Sequence, residues 1–461
     1  MKGVVISGDR SGSGKTSVTL ALAALLARDK TVQTFKVGMD YIDPSYLSAV
    51  TGRPCRNLDG FVLSRAENRA IFNAANRGAD LAIVEGVRGL YEGAEAIDDA
   101  GSTAEIAKLL DLPVVLVVNA RSITRSAAAL VRGFQVLDPA VAIAGVILNN
   151  VSGPTHRAKA VAAVEHFCDI PVLGAIPPIE EMHLAMRHLG LVPYREGSEE
   201  TGFRERVETV TRIIGEYVPP EGLLSVAREL PVPTDRPLVA PREDEPDVTI
   251  GLAHDEAFTF YYADLEEILG SAGATVVRFS PCHDRLPDAD GYILGGGYPE
   301  MHAAALEANA PCREGLRETA RNGTPIYGEC GGLIYLTDRV RLAPGWQGTE
   351  SEEIHELAGV LPGETRMPAK RVVTYVEGRS DASSPMGAGT FRGHAFHYSE
   401  VALKPGTRYV YTLSRGKGID GMQDGAVVRN ALGAYCHLHP VASRRMFAAF
   451  VERCRTVTAE A

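Results

Sequence analysis

Two periodicities alternate along the first half of the chain. Residues 4–7 form a β-branched apolar run, a Gly/Ser loop follows, and apolar positions over 16–28 recur at helical spacing. The succession continues, with strands predicted at 32–37, 81–84, 114–118, 142–148 and 172–176 and helices at 66–77 and 123–137. These strands are near-continuous apolar runs, the pattern of a parallel sheet covered by helices on both faces. Over 222–247 the period is lost and proline and charge dominate, which predicts an interdomain linker. A second α/β run starts at 248–252, with a helix at 260–272 and strands at 275–279, 292–294 and 325–327. Segments 371–376 and 409–413 are predicted as antiparallel additions. The expected fold is therefore α/β in two domains, 1–225 and 248–461, joined by a linker at 226–247.

Length agrees with this division, since 461 residues suit two domains of roughly 200 residues each. Apolar content of 45% and charged content of 23% are ordinary for soluble globular protein. A net charge of −11 speaks against a nucleic-acid surface. The seven cysteines are odd in number, widely spaced and without a C-x-x-C, so a reducing cytoplasm fits better than a disulfide framework. The start, MKGVVISGDRSGSGKT, lacks the pattern of a signal peptide. No run approaches about 18 apolar residues, so no membrane span is expected.

Chemistry first shows between the first strand and the first helix, at Gly8-Asp-Arg-Ser-Gly12-Ser-Gly14-Lys15-Thr16. Glycines there let backbone N–H groups approach phosphate oxygens, and the helix N-terminus adds positive partial charge. Lys15 can reach the β- and γ-phosphates of ATP, and Thr16 can bind Mg²⁺. A strict phosphate loop has glycine five residues before Gly14, where this chain has Asp9. Two acidic stretches follow later strands, Met39-Asp40-Tyr41-Ile42-Asp43 and Glu85 through Glu92. Carboxylates at the C-terminal ends of parallel strands face the phosphate loop's crevice, so Asp40 and Glu85 are candidates to complete a Mg²⁺ shell with Thr16. The other reading of Asp40, Asp43 and Glu92 is as turn residues.

The second half carries a thiol in TPIYGECGGLIYL, residues 324–336. Gly328-x-Cys330-x-Gly332 between a strand and a helix has the small residues a sharp nucleophile turn demands. Such a turn aims backbone N–H groups, here that of Gly331, at a developing oxyanion. A buried, inert cysteine in a glycine-rich turn is the alternative. The glycine loop 295–297, centred on Gly296 and followed by Tyr-Pro-Glu300, can supply a second donor. Cys436-His437-Leu438-His439 offers a base in His437, with His439 two places on and on the same face of a strand. The same four residues could suggest a metal site, but no second cluster of suitable spacing accompanies them. His394 and His397 form a further polar-aromatic cluster, as substrate contacts or as structural histidines.

These motifs together resemble the cobyrinate a,c-diamide synthases, two-domain members of the class I glutamine amidotransferases. The resemblance is carried by SGSGKTS, MDYIDPSY and VEGVRGLYEG in the first half and by GGGYPE, YGECGG, GHAFHYSE and YCHLHP in the second, in order over nearly the whole chain. It implies a P-loop domain with a doubly wound parallel sheet of dethiobiotin-synthetase type, and a flavodoxin-like glutaminase domain. It implies nucleotide binding by Gly12, Gly14, Lys15, Thr16 and Ser17. It implies substrate binding by Asp40, Tyr41, Ile42, Asp43, Arg88 and Glu92. Cys330 would be the glutaminase nucleophile and His437 its base, with Gly331, Gly296 and His439 auxiliary. Many class I amidotransferases have His-x-Glu where His439 stands. Family members often show proline at Met39, methionine at Arg88, aspartate at Glu92 and glutamate at Ala395. These departures leave cobyrinate and nickel-sirohydrochlorin both open, and Arg88 and Glu92 lean towards the nickel tetrapyrrole.

The implied partners are L-glutamine and a tetrapyrrole, with ATP as cosubstrate and Mg²⁺ as cofactor; a homodimer is compatible with this. The first domain would phosphorylate a substrate acetate, and the second would release ammonia from glutamine at Cys330, to travel by a shielded passage. Three alternatives stand beside this expectation: amidation of other ring side chains, as by cobyric acid synthases; a P-loop ligase with an inert second domain; and a nucleotide-binding regulator.

Overall fold

The computed structural model describes residues 1–180, 200–231, 238–240, 242, 244–346 and 349–460. The chain divides into two compact units, Met1–Leu238 and Val239–Ala461. Part of the expected linker, 232–237 with 241 and 243, lies outside the described residues.

The first unit is built on strands β1 (Lys2–Gly8), β2 (Val32–Val37), β3 (Arg56–Leu58), β4 (Leu81–Glu85), β5 (Val114–Asn119), β6 (Ile143–Asn149), β7 (Val172–Ile176) and β8 (Arg228–Glu229). Their order is β3-β2-β4-β1-β5-β6-β7, every neighbouring pair parallel, with β8 antiparallel on the start of β1. All five predicted strands beyond β1 are present; four are buried over nearly their whole length, and β7 over its last three residues. Val4, Ile6, Ile83, Val115 and Val117 of the sheet pack with Val18 and Leu22 of helix Lys15–Leu26 and with Ile213 of helix Glu200–Tyr217. Helix Ile42–Thr51 was not evident from the sequence, where its first turn read as an acidic loop. β8 falls inside the segment expected to be linker.

The second unit contains β9 (Val248–Ala253), β10 (Ala274–Phe279), β11 (Gly291–Leu294), β12 (Ile326–Glu329), β13 (Thr337–Leu342), β14 (Glu353–Glu356), β15 (Leu361–Met367), β16 (Val372–Ser380), β17 (Gly389–His397), β18 (Glu400–Leu403), β19 (Arg408–Arg415), β20 (Gln423–Val428), β21 (Ala431–Ala434) and β22 (His437–Leu438). The main sheet runs β10-β9-β11-β12-β21-β20-β19-β16-β17-β22. Its parallel half, β10-β9-β11-β12-β21, is the flavodoxin-type order. From β20 onward neighbours are antiparallel, as expected around 371–376 and 409–413. A separate sheet, β14-β13-β15-β18, packs nearby. The core joins Phe258, Leu294, Ile326, Leu333, Leu336 and Leu361. The helix predicted at 260–272 begins only at Leu265, because the Phe260 N–H donates to Gly296 O at 3.0 Å and ties that stretch to the glycine loop. No described helix is long and apolar enough to cross a membrane.

Candidate active sites

In the first unit the glycine loop closes between β1 and the helix Lys15–Leu26. Gly12 and Gly14 take φ of 76° and 97°, a region that favours glycine. A side chain at Gly14 would also stand 2.3 Å from Asn149 Nδ2, which donates to Ser13 O at 2.8 Å. Asp9 needs no glycine, since its φ is not positive. Its Oδ2 accepts from Arg10 Nε and Nη2 at 2.9 and 2.8 Å. Ser17 is buried in the first turn of the helix. No salt bridge engages Lys15 among the described residues, and burial, then the charge of Lys36, hold its pKa below lysine's usual value. The loop's cation is thus left available to phosphate.

Its neighbour Lys36 is the opposite case. Lys36 is 1% exposed, and its Nζ donates to Asp43 Oδ2 at 2.5 Å and Glu85 Oε1 at 2.8 Å, with Asp40 Oδ2 at 3.9 Å. Burial opposes its charge, yet the three carboxylates hold its pKa well above the ordinary range. Burial pushes the Asp43 carboxyl up, but Lys36 outweighs it and Asp43 ends low. For Asp40, burial and the charge of Asp43 win over Lys36, and its pKa is raised. Burial, reinforced by Asp43, lifts Glu85 to about 7 against Lys36 and Lys15. Asp40 Oδ1 also accepts the Ile42 N–H at 2.8 Å and the Asp43 N–H at 3.3 Å, which starts the helix that Tyr41 precedes.

The structure brings Thr16, Asp43 and Glu85 together: Thr16 Oγ1 donates to Glu85 Oε1 at 2.7 Å and lies 3.4 Å from Asp43 Oδ2. Among the described residues no group of three or more acidic, His or Cys side chains has metal-holding geometry. Lys36 already sits among the carboxylates. The donors nevertheless suit Mg²⁺, which binds one or two carboxylates and takes its other oxygens from phosphate and water. Glu85 Oε2 is buried without a hydrogen bond, an oxygen left for a cation or a proton. The stretch from Arg88 to Glu92 is tied to the phosphate loop, as Leu90 N donates to Gly8 O at 3.0 Å. Arg88 takes φ 49°, and the Glu92 carboxylate accepts the Gly89 N–H. Glu92 therefore braces its own loop, and that contact carries no argument about which tetrapyrrole binds.

In the second unit β12 ends in a reversal at Cys330, with φ 47° and ψ −92°. Both flanking glycines are needed. A Cβ on Gly332 would lie 2.1 Å from Leu294 O, and one on Gly328 would lie 2.9 Å from the Gly332 carbonyl carbon. Gly331 opens the helix Gly331–Leu336, so its N–H has no acceptor within that helix. The 295–297 loop lies against this turn: Gly332 N donates to Gly295 O at 2.9 Å, and a Cβ on Gly331 would stand 2.9 Å from Gly297 N. The N–H groups of Gly331 and of the 296–297 peptide units are thus gathered beside the thiol.

β22 pairs with β17 and sets His437 opposite His394. A Cβ on Gly296 would be 2.7 Å from His437 Cε1, so His437 also borders the glycine loop. Nδ1 of His437 lies 3.5 Å from Glu329 Oε2. Glu329 is itself fixed, since its Oε1 accepts from Tyr327 Oη at 2.6 Å and from Leu438 N at 3.0 Å. Burial disfavours charge on His437, but interactions with Cys330 and Glu329 outweigh it and raise its pKa to about 10. The His394 ring stacks on His437 at 5.0 Å, and burial, then His437, push its pKa well down. His397 stacks on Tyr435 at 3.6 Å, bonds Ser399 O through Nδ1 at 2.9 Å, and is pushed down to about 4, mainly by burial. His439, expected as an auxiliary group, has Asp264 Oδ2 at 3.8 Å and the Tyr262 ring at 4.7 Å.

Residues 249–445 match the CobB/CobQ-like glutamine amidotransferase domain, and residues 2–185 match an AAA domain. A cobyrinate a,c-diamide synthase of Methanosarcina acetivorans is 46% identical over 97% of this chain and 94% of its own length. Those of Methanosarcina barkeri and Methanothermobacter thermautotrophicus are 44% and 40% identical, over 98% and 97% of this chain and 96% and 98% of theirs. The chain belongs to the cobyrinate a,c-diamide synthase family. Two residues of this family member escaped the sequence reading. Lys36 could have been noticed as a lysine inside the apolar run of β2, with acids four and seven places on. Glu329 stands next to Cys330, where strand alternation would turn it away.

Proposed function

We propose that the chain is an ATP- and glutamine-dependent ligase that converts the a and c acetate carboxylates of cobyrinate to amides. A carboxylate is a poor electrophile, and ammonium is no nucleophile. In the first unit the substrate acetate attacks the γ-phosphorus of ATP, releasing ADP and leaving an acyl phosphate. Lys15 and the N–H groups around Gly12 and Gly14 hold the transferred phosphoryl group, with Ser17 in the same first turn. Lys36 fixes Asp40, Asp43 and Glu85 at the edge of this crevice. Tyr41, Ile42, Arg88 and Glu92 lie on the two loops that would border the substrate. Mg²⁺ would be held by Thr16 with Glu85 and Asp40, lending positive charge to phosphate oxygens.

In the second unit the Cys330 sulfur attacks the glutamine side-chain carbonyl. The N–H groups of Gly331 and the Gly296 loop stabilise the oxyanion. His437, carrying a proton, donates it to the departing nitrogen, and ammonia leaves a γ-glutamyl thioester. Water, deprotonated by His437, then hydrolyses the thioester to glutamate and restores the thiol. Ammonia displaces phosphate from the acyl phosphate, and a second round gives the diamide.

The observation that carries this reading is the coexistence in one chain of a lysine at a phosphate loop that makes no salt bridge among the described residues and a thiol turn beside a buried histidine paired with Glu329. The test offers cobyrinate, hydrogenobyrinate, sirohydrochlorin and nickel-sirohydrochlorin with ATP and glutamine, read by mass spectrometry. Two carboxylates of cobyrinate should become amides. Amidation of the nickel compound alone would move the assignment to that substrate, and ATP turnover with no amide from any ring would sink it.

A further inference from the structure

Glu300 closes the GGGYPE stretch, and neither half of the reaction above uses it. It lies in a single 3₁₀ turn, Pro299–His302, that directly follows the glycine loop. That turn abuts the nucleophile's own: a Cβ on Gly331 would stand 3.1 Å from Pro299 Cδ. Glu300 is 7% exposed, and its Oε2 is buried without a hydrogen-bond partner. Asp264 Oδ2 is also buried without a hydrogen bond but has His439 Nε2 at 3.8 Å, and three other buried carboxylates of this unit are satisfied. Asp255 accepts from Ala257 N and Cys282 N, both at 2.9 Å. Asp424 accepts from Tyr435 N and Cys436 N at 3.1 and 3.0 Å, and Glu329 from Tyr327 and Leu438. Burial pushes Glu300 up to about 7, opposed only by its own backbone N–H among the described residues. A carboxylate kept from water without a partner costs free energy unless a ligand supplies the partner.

We propose that Glu300 binds the α-ammonium of glutamine and so sets the specificity of the thiol site. Glutamine is short, so an amide carbon at Cys330 places the α-carbon among residues flanking the thiol turn and the glycine loop. A buried acceptor in that border recognises the one cationic group of the substrate. This deepens the glutaminase reading and rests on it.

The test compares L-glutamine with glutaramic acid, the same molecule without its amino group, in the full-length enzyme. Wild type should hydrolyse glutamine at least about 100-fold better by kcat/KM, since a site built around a polar group rejects a substrate lacking it. Glu300→Gln should raise KM for glutamine by about 100-fold with kcat little changed, and should treat the two amides nearly alike. Alkylation of Cys330 by iodoacetamide, which has no ammonium, should keep its wild-type rate in that variant, so a damaged turn would be seen separately. Equal use of both amides by wild type, or a Glu300→Gln enzyme that keeps the preference, overturns the assignment. A wild type that hydrolyses neither amide would instead overturn the glutaminase reading itself.

Discussion

Cys330 holds a left-handed backbone conformation, φ 47°, that residues with a β-carbon adopt at a cost of about 1–3 kcal/mol. The strain presents the sulfur on a turn too tight for side chains at 328 and 332. Cys330→Gly should therefore abolish glutamine hydrolysis and also stabilise the unit by about 1 kcal/mol, seen as a raised Tm. A lowered Tm would mean that the turn is not strained. Glu329 makes a second prediction. The pKa of His437 is raised from 6.5 to about 10, so the imidazolium persists through neutral pH and is lost as pH rises through about 10. Its interactions with Glu329 and Cys330 stabilise the fold fully below about 6.5 and fade over that upper range. Glutamine hydrolysis, for which we propose that His437 donates this proton, should fall on the same alkaline side. Glu329→Gln removes one of the raising interactions and should move that limb to lower pH, with kcat down about 10- to 100-fold. An unmoved alkaline limb would remove Glu329 from the site. Cys330 and His437 were legible as candidates because each sits in a short local motif. Glu329 was not, because only the reversal at Cys330 lets neighbouring residues of one strand approach the same histidine.

Among the elements, the parallel strands were legible and their additions only partly so. A strand buried on both faces, such as LAIVE in β4, is apolar throughout and declares itself. Strands of the small sheet do not: β14 is mostly exposed, and β13 alternates with interruptions. Helix 154–168 and helix 42–51 were missed for a related reason, since few of their residues are buried and no apolar stripe stands out. The glycine loop between β11 and its following turn shows what sequence cannot supply, the identity of the neighbour. Gly296 has Phe260 Cβ at 3.1 Å and His437 Cε1 at 2.7 Å from where a Cβ would be, and its carbonyl is bonded to Phe260 N. Neither neighbour can retreat without moving His437 or the loop. Gly296→Ala should lower glutamine hydrolysis by about 100-fold or more, the scale expected when a catalytic group is displaced by about 1 Å. Ammonia-driven synthesis should be unchanged. A variant that hydrolysed glutamine normally would show that the loop does not border the reacting atoms.

For the whole molecule, the two units answer two separate chemical needs, and that separation can be tested without knowing how they are arranged. Activation of a carboxylate needs phosphate binding, and we assign it to the first unit, where Lys15 makes no salt bridge among the described residues and Lys36 is locked among carboxylates. Release of ammonia needs a nucleophile and a proton donor, roles we propose for Cys330 and His437 of the second. If the division holds, the two single variants must differ in what rescues them. Cys330→Ala should lose synthesis from glutamine and keep it when a high concentration of ammonia at alkaline pH is supplied. Lys15→Ala should lose synthesis from both nitrogen sources by about 100-fold or more, because the charge on the transferred phosphoryl group is then unmatched whichever nitrogen follows. Lys36 would not substitute for it, since moving that ammonium to phosphate would leave Asp43 and Glu85 buried and unpaired, a loss of about 3–5 kcal/mol. Product formed from ammonia at the wild-type rate in Lys15→Ala would therefore place the acyl-phosphate step elsewhere in the chain. Loss of ammonia-driven synthesis in Cys330→Ala would join the two chemistries that the structure keeps in different units.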